Sequence, residues 1–291
     1  MNFPTVRRGQ PEVCEPPWSC EAASMLMVVF DADQAHLQRM VDRVINGPLG
    51  RHRFTVAEAS FWFSVQRITG FCSTAAVSDG VRYDYGEVTF WVLVLDESGE
   101  QHFVAPYVIH EPTVPTAIGR ELFGFSKEIG FLDTSPDGSR HEVQVLGHMG
   151  AGTTATLQTV AVLKRTGDSP VAELAGLDLL DKANFKRGQD YFKSAPLGFA
   201  KLTTMNFPFL FLRQFAAPAG SGCDVQQVVR VPMVVDPGSS PMNADGQWQL
   251  ALATLKSHPI AADLGVSPIV TSTQSLQLNC TFELPAGAVL T

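Results

Sequence analysis

A mainly β (α+β) fold, one barrel-like domain with helices at its periphery, is what this sequence predicts, and three observations lead there. Eight segments are rich in Val, Ile, Phe and Thr, and turn pairs such as Asp79-Gly80, Asp137-Gly138, Pro237-Gly238 and Asp245-Gly246 separate many of them. Several are apolar on both parities, as in Thr89-Phe90-Trp91-Val92-Leu93-Val94, a pattern that suits strands covered on both faces. So many strands need their edges paired, which closure into a barrel provides. No repeat and no low-complexity linker interrupts the 291 residues, so residues 1–291 are expected to form one domain.

Taken in order, the strands are expected at residues 25–30, 54–68, 88–95, 102–109, 143–146, 154–163, 200–212 and 225–235. Helical spacing is clearest at 33–45, where Ala35, Leu37, Met40, Val41 and Val44 share one side. Asp31 or Asp33 is available there as the N-cap, and Gly47 follows the end. Residues 172–184 and 247–256 are further helix candidates. Residues 216–223 and 236–246 read as surface loops.

Composition excludes several classes. Hydrophobic residues make up 45% and charged residues 17%, enough for a substantial core and far from a disordered chain. A net charge of −8 opposes general nucleic-acid binding, which needs clustered cations. The apolar runs 25–30 and 207–212 are too short to span a bilayer, so no membrane partner is expected. The first residues carry Pro, Arg and Glu where a signal peptide has an apolar run, and a cytoplasmic protein with reduced thiols is expected. Cys14, Cys20, Cys72, Cys223 and Cys280 form no CxxC pair, and the histidines form no HExxH, so no motif supports a metal site.

The chemistry concentrates in Gly119-Arg120-Glu121-Leu122-Phe123-Gly124-Phe125-Ser126-Lys127-Glu128-Ile129-Gly130. A lysine amine in water holds its proton up to about pH 10.4, and keeping one neutral near pH 7 costs about 4–5 kcal/mol. Desolvation among Phe123, Phe125, Ile129 and Phe131 is the expected source. A neutral amine attacks a carbonyl, and the resulting Schiff base is an electron sink.

The run GRELFGFSKEIGF resembles the signature of the acetoacetate decarboxylase family, GRE-x3-(Tyr/Phe)-x-Lys, with Lys127 at the Schiff-base position. Tyr85-Gly86-Glu87, about thirty residues upstream, is similar to the family's Tyr-x-Glu, whose glutamate faces the lysine. The strand and helix of MLMVVFDADQAHLQRMV, and the stretch 259–269 with the strand after it, extend the likeness over nearly the whole chain.

The resemblance implies the family's closed antiparallel β-barrel with peripheral helices and a lyase that acts on a small keto acid without an external cofactor, decarboxylating a β-keto acid through a lysine iminium. Lys127 would be the nucleophile and Glu87 the acid/base, with Glu128 modulating the lysine or sharing proton transfer. Arg120, Phe123 and Phe125 would form the substrate side, and a homo-oligomer is implied. Two positions depart from the pattern: decarboxylating members have a second lysine where Glu128 stands, and the family's early arginine falls at Ala23. The same lysine supports aldol condensation or dehydration in related members, and a non-catalytic binding barrel is the alternative from another class.

Other features carry less. Gly147-His148-Met149-Gly150-Ala151-Gly152 lacks the residues of a phosphate loop, and Ser221-Gly222-Cys223 lacks a nucleophile elbow. His102 and His110 flank a strand eight residues apart, a spacing that allows both the same side. Trp91, Phe90 and Phe61-Trp62-Phe63 read as core.

Overall fold

The computed structural model describes residues 15–75, 81–148, 152–167, 206–216, 223–237, 242–244 and 246–290. The expected helix at 172–184, the start of the strand at 200–212, Cys14 and several of the turn glycines lie outside these residues, as do parts of the 147–152, 216–223 and 236–246 stretches.

Strands dominate. In chain order they are Trp18–Asp31 (β1), Thr55–Val56 (β2), Ser60–Ser73 (β3), Tyr83–Leu95 (β4), Gln101–His110 (β5), Lys127–Thr134 (β6) and Arg140–Gly147 (β7). Thr156–Gly167 (β8), Asn206–Ala216 (β9), Cys223–Pro237 (β10), Met242–Asn243 (β11), Gln247–Leu252 (β12), Ile269–Leu284 (β13) and Ala288–Leu290 (β14) follow. Their hydrogen-bonded order is β14-β10-β9-β5-β6-β7-β8-β12-β13-β1-β3-β4-β2, with β11 on β13 and further pairings β10–β13 and β4–β5. The expectation of a purely antiparallel sheet is corrected at β5, which pairs in parallel with both β6 and β9. A parallel neighbour requires a crossover, and residues 111–126 between β5 and β6 supply it.

β1, β3 and β4 are buried on both faces, as their unbroken apolar runs predict. On one face Val28, Phe30, Phe61, Phe63, Phe90 and Val92 join a core that helix residues Leu37, Met40 and Val41 cover. On the other face Met25, Met27, Trp62, Trp91 and Leu93 join a second cluster with Phe209, Phe211 and Phe282. Phe61 and Phe63 pack on Phe90 at centroid distances of 6.2 and 4.9 Å.

The helix runs Gln34–Val41, capped by Asp33, whose carboxylate accepts the His36 amide at 2.9 Å. It continues through a π-helical turn at Asp42–Asn46 and a last turn at Gly47–Leu49, and stops at Gly50 in the left-handed conformation (φ 67°). Gly47 therefore lies inside the helical run instead of ending it. Residues 247–252 are a strand, not the expected helix. Trp248, Leu250 and Leu252 are buried while the residues between them are not, a two-residue period that helix spacing cannot satisfy.

A register shift between Phe90 and Val92 against β5 decides which face each β5 residue takes. Before it, Val104 faces the helix-covered core, and His102 packs edge-on against Phe54 of that core. After it, Val108 joins the second cluster, and His110 stacks on Tyr85 of that cluster. The even spacing of the two histidines is thus misleading, because an extra residue in one strand inverts the faces beyond it. The described cysteines, Cys20, Cys72, Cys223 and Cys280, are free thiols. No helix among the described residues is long and apolar enough to cross a membrane.

Candidate active site

Lys127 is the first residue of β6, and the parallel pairing of β6 with β5 fixes its place. Val108 is opposite Lys127 on one side and opposite Thr89 of β4 on the other. Glu87, two residues before Thr89 and therefore on the same face, reaches across this row. Its Oε2 lies 2.7 Å from Lys127 Nζ, with both side chains buried (5% and 6% exposed). The rings of Tyr85 and Phe125 each lie 5.3 Å from the amine, a distance at which an aromatic face attracts a cation.

The Gly-punctuated segment before Lys127 shapes the site. Pro115–Ile118 forms a helical turn, and Gly119–Phe123 follows as a π-helical turn. Gly124 closes it with φ 83°, its N–H on the Gly119 carbonyl. A Cβ at Gly124 would also lie 2.7 Å from the Arg213 backbone nitrogen of β9, so glycine is required there for conformation and for space. Ser126 Oγ donates to the Ala105 carbonyl at 2.8 Å and ties the segment to β5. Arg213 Nη1 donates to the Leu122 carbonyl at 3.3 Å, and its Nε bonds Gln227 Oε1 at 3.0 Å.

Gly119 has a different role. A Cβ there would meet Lys127 Cδ and Cε at 2.7 Å, while its φ of −58° suits any residue. Alanine at 119 should leave the backbone intact and displace the amine. Misplacing a reacting group by about 1 Å can cost roughly 10²-fold in rate. Gly119→Ala is accordingly expected to slow carbonyl trapping about 100-fold with little change in thermal midpoint, both measured on the same preparation.

Lys127 and Glu87 sit on the wall of a cavity with about 860 Å³ of empty space, counting its mouth. Phe123 and Phe125 line it, as the sequence suggests. Trp91, read as core, lines it too and stacks on Phe209 at 5.0 Å. Three expected contributors are placed elsewhere. Ile129 and Phe131 are about half exposed (51% and 50%), so Tyr85 and the ring of Phe125 provide the dry surroundings instead. Arg120 is exposed on the outside of the π-helical turn and does not line the cavity, which corrects its assignment to the substrate side.

Glu128 is corrected likewise. Adjacent strand residues point to opposite faces, and its Oε2 lies 2.5 Å from His258 Nε2, away from the cavity. His258 Nδ1 in turn contacts Ser257 Oγ at 2.9 Å. Glu128→Gln is expected to leave the pH dependence of Lys127 reactivity unchanged. At most about 1 kcal/mol of stability should be lost, since Glu128 is 40% exposed and such pairs are screened. A displaced pH profile would place Glu128 in the proton-transfer path.

Polar groups that the sequence did not single out complete the wall. Thr89 Oγ1 donates to Glu87 Oε1 at 3.3 Å, and Gln66 Nε2 reaches Thr89 Oγ1 at 3.4 Å and Ser64 Oγ at 2.9 Å. Trp91 Nε1 donates to the same Ser64 oxygen at 2.8 Å. This chain fixes the Glu87 carboxylate from behind. The signal for it was the alternation Ser64, Gln66 in an otherwise apolar strand, polar residues where only buried ones fit. His110 lies behind Tyr85 with ring centroids 4.1 Å apart. Burial, aided by the Lys127 charge, pushes it down to about 2, so its imidazole is neutral. Burial also raises the Tyr85 hydroxyl well above its ordinary range, with the nearby Glu87 carboxylate acting in the same direction.

A buried lysine and a carboxylate are thus in contact at the wall of an apolar cavity, set in a mainly β fold. The solved structures it resembles share that fold. Acetoacetate decarboxylase from Legionella pneumophila subsp. pneumophila str. Philadelphia 1 matches over 100% of this chain and 92% of its own, with TM-score 0.59 and 17% identity. An acetoacetate decarboxylase-like enzyme from Sphingomonas wittichii RW1 matches over 97% and 96%, with TM-score 0.60 and 14% identity. The enduracididine biosynthesis enzyme MppR, complexed with pyruvate, matches over 96% and 91%, with TM-score 0.55 and 14% identity. No family model and no curated protein sequence matches the chain. The chain has the acetoacetate decarboxylase-like fold.

Proposed function

We propose that this protein is a lyase that binds its carbonyl substrate covalently as a Schiff base on Lys127. The observation that carries the reading is the buried 2.7 Å contact between Lys127 Nζ and Glu87 Oε2 beside a cavity large enough for a substrate. Transfer of one proton across that contact turns ammonium and carboxylate into amine and carboxylic acid with no change in net charge. The neutral amine adds to the carbonyl carbon, and one of its two protons passes to the oxygen to give a carbinolamine, the other staying on nitrogen. Glu87 then returns its proton to the departing hydroxyl, which leaves as water. An iminium remains, balanced by the Glu87 carboxylate.

With a β-keto acid bound, the electrons of the bond to the carboxylate flow into the iminium. Carbon dioxide leaves and an enamine forms, which takes a proton at carbon. Water then hydrolyses the new iminium, and the sum is one keto-acid carboxylate and one proton giving one ketone and carbon dioxide. MppR has also been solved with the condensation product of pyruvate and imidazole 4-carboxaldehyde. That favours a second reading, in which an enamine on Lys127 attacks an aldehyde instead. In either case Glu87 moves the protons at the nitrogen and oxygen.

The fold supports this reading further. The pairings β5–β9, β9–β10, β10–β13, β13–β1, β1–β3, β3–β4 and β4–β5 return to their starting strand, and we take them as a closed barrel whose inside is the cavity. The test is carbon dioxide release from β-keto acids beside product formation from pyruvate plus an aldehyde. Release supports decarboxylation, a condensation product supports the second reading, and neither with any carbonyl compound overturns the enzyme.

A further inference from the structure

The lining of the cavity restricts what can occupy it. Met27, Phe71, Phe103, Phe209, Leu278 and Phe282 are among its apolar walls, contributed by five different strands. The polar side chains are grouped on β3, β4 and β6 around Lys127: Ser64, Gln66, Tyr85, Glu87 and the lysine itself. Among the described lining residues Lys127 is the sole cation, and its charge is already matched by Glu87. The position where a family arginine would fall, Ala23, is a buried alanine of the second cluster. Among the described lining residues a substrate carboxylate finds no guanidinium and no second ammonium, and a desolvated charge without a partner is costly. A three-carbon keto acid would also leave most of the apolar wall facing water.

We infer that the substrate carries a large apolar body, an aliphatic or aromatic tail that fills the cavity beyond its reacting carbonyl, and that this tail supplies most of the binding. The inference rests on the Schiff-base reading of Lys127 for the position of the carbonyl. The apolar wall governs the rest of the molecule. Burying one methylene contributes enough to improve binding roughly 3- to 4-fold.

The test uses the full-length protein and a series of methyl ketones, 2-butanone, 2-hexanone and 2-octanone, with pyruvate alongside. The concentration giving half-maximal borohydride-trapped adduct should fall by on the order of 10² from 2-butanone to 2-octanone, four methylenes apart. Pyruvate should trap no better than 2-butanone. Equal concentrations across the series, or pyruvate as the best ligand, would overturn the inference while leaving the Schiff base in place.

A second measurement separates the two ideas. In the Lys127→Ala/Glu87→Gln double variant, where no adduct can form, the fluorescence of Trp91 on the cavity wall should respond to 2-octanone at far lower concentration than to 2-butanone. If wild-type protein gives no adduct yet shows this tail dependence, the apolar substrate class stands and the covalent reading falls. If fluorescence shows no tail dependence, the apolar class falls.

Discussion

Replacing Lys127 by alanine is expected to remove all borohydride-trappable adduct and to reduce turnover to background. Among the described residues no other lysine can take its place: Lys164 and Lys256 are exposed on other strands and loops. The substitution also strands the Glu87 carboxylate in a buried site, and breaking a buried pair in this way costs about 3–5 kcal/mol. A loss of activity could therefore be confused with a loss of fold. The double variant Lys127→Ala/Glu87→Gln removes both charges at once and should recover most of the stability with none of the activity. Thermal unfolding and adduct mass on the two variants check this. Activity in the double variant would remove Lys127 from the mechanism.

Glu87→Gln carries the second largest effect. Glutamine keeps the shape and can still accept a hydrogen bond from Thr89, but it takes no proton from the amine and returns none to the departing hydroxyl. General acid–base groups contribute about 10²–10⁴-fold, and turnover should fall within that range. Glu87→Asp, which keeps the chemistry and shortens the reach, should fall less. Rates measured at saturating substrate over a range of pH distinguish the two. Equal loss in both variants would mean that the carboxylate only holds the lysine in place.

Much of this site was legible before the structure. The Gly-punctuated approach to Lys127 and the Tyr-x-Glu at the head of β4 are local patterns, and their spacing survives whatever the rest of the chain does. Strands such as β4, apolar on both parities, announced burial on both faces, and Phe90 and Trp91 do take opposite sides. What could not be read depended on contacts between distant segments. Which way Glu128 faces is not written in its position beside Lys127; strand geometry sends it to His258, 130 residues away.

Arg120, placed on the substrate side by its position in the motif, neither lines the cavity nor holds the segment before Lys127. The guanidinium that holds that segment, Arg213, comes from β9, which shows no such signal. The two histidines of β5 were separated by a register shift that no periodicity records. Residues 247–252 form a strand because β8 and β13 pair with it on either side, contacts from distant segments that a local helix reading cannot contain.

The central claim is that one buried amine becomes covalently attached to a ketone. Incubating the protein with a saturating methyl ketone, reducing with borohydride and sequencing the peptides by mass spectrometry tests it directly. The predicted result is one alkyl group per chain, on Lys127, absent when borohydride is omitted. An alkyl group on exposed Lys164 or Lys256 with Lys127 unmodified, or no group at all, would contradict it.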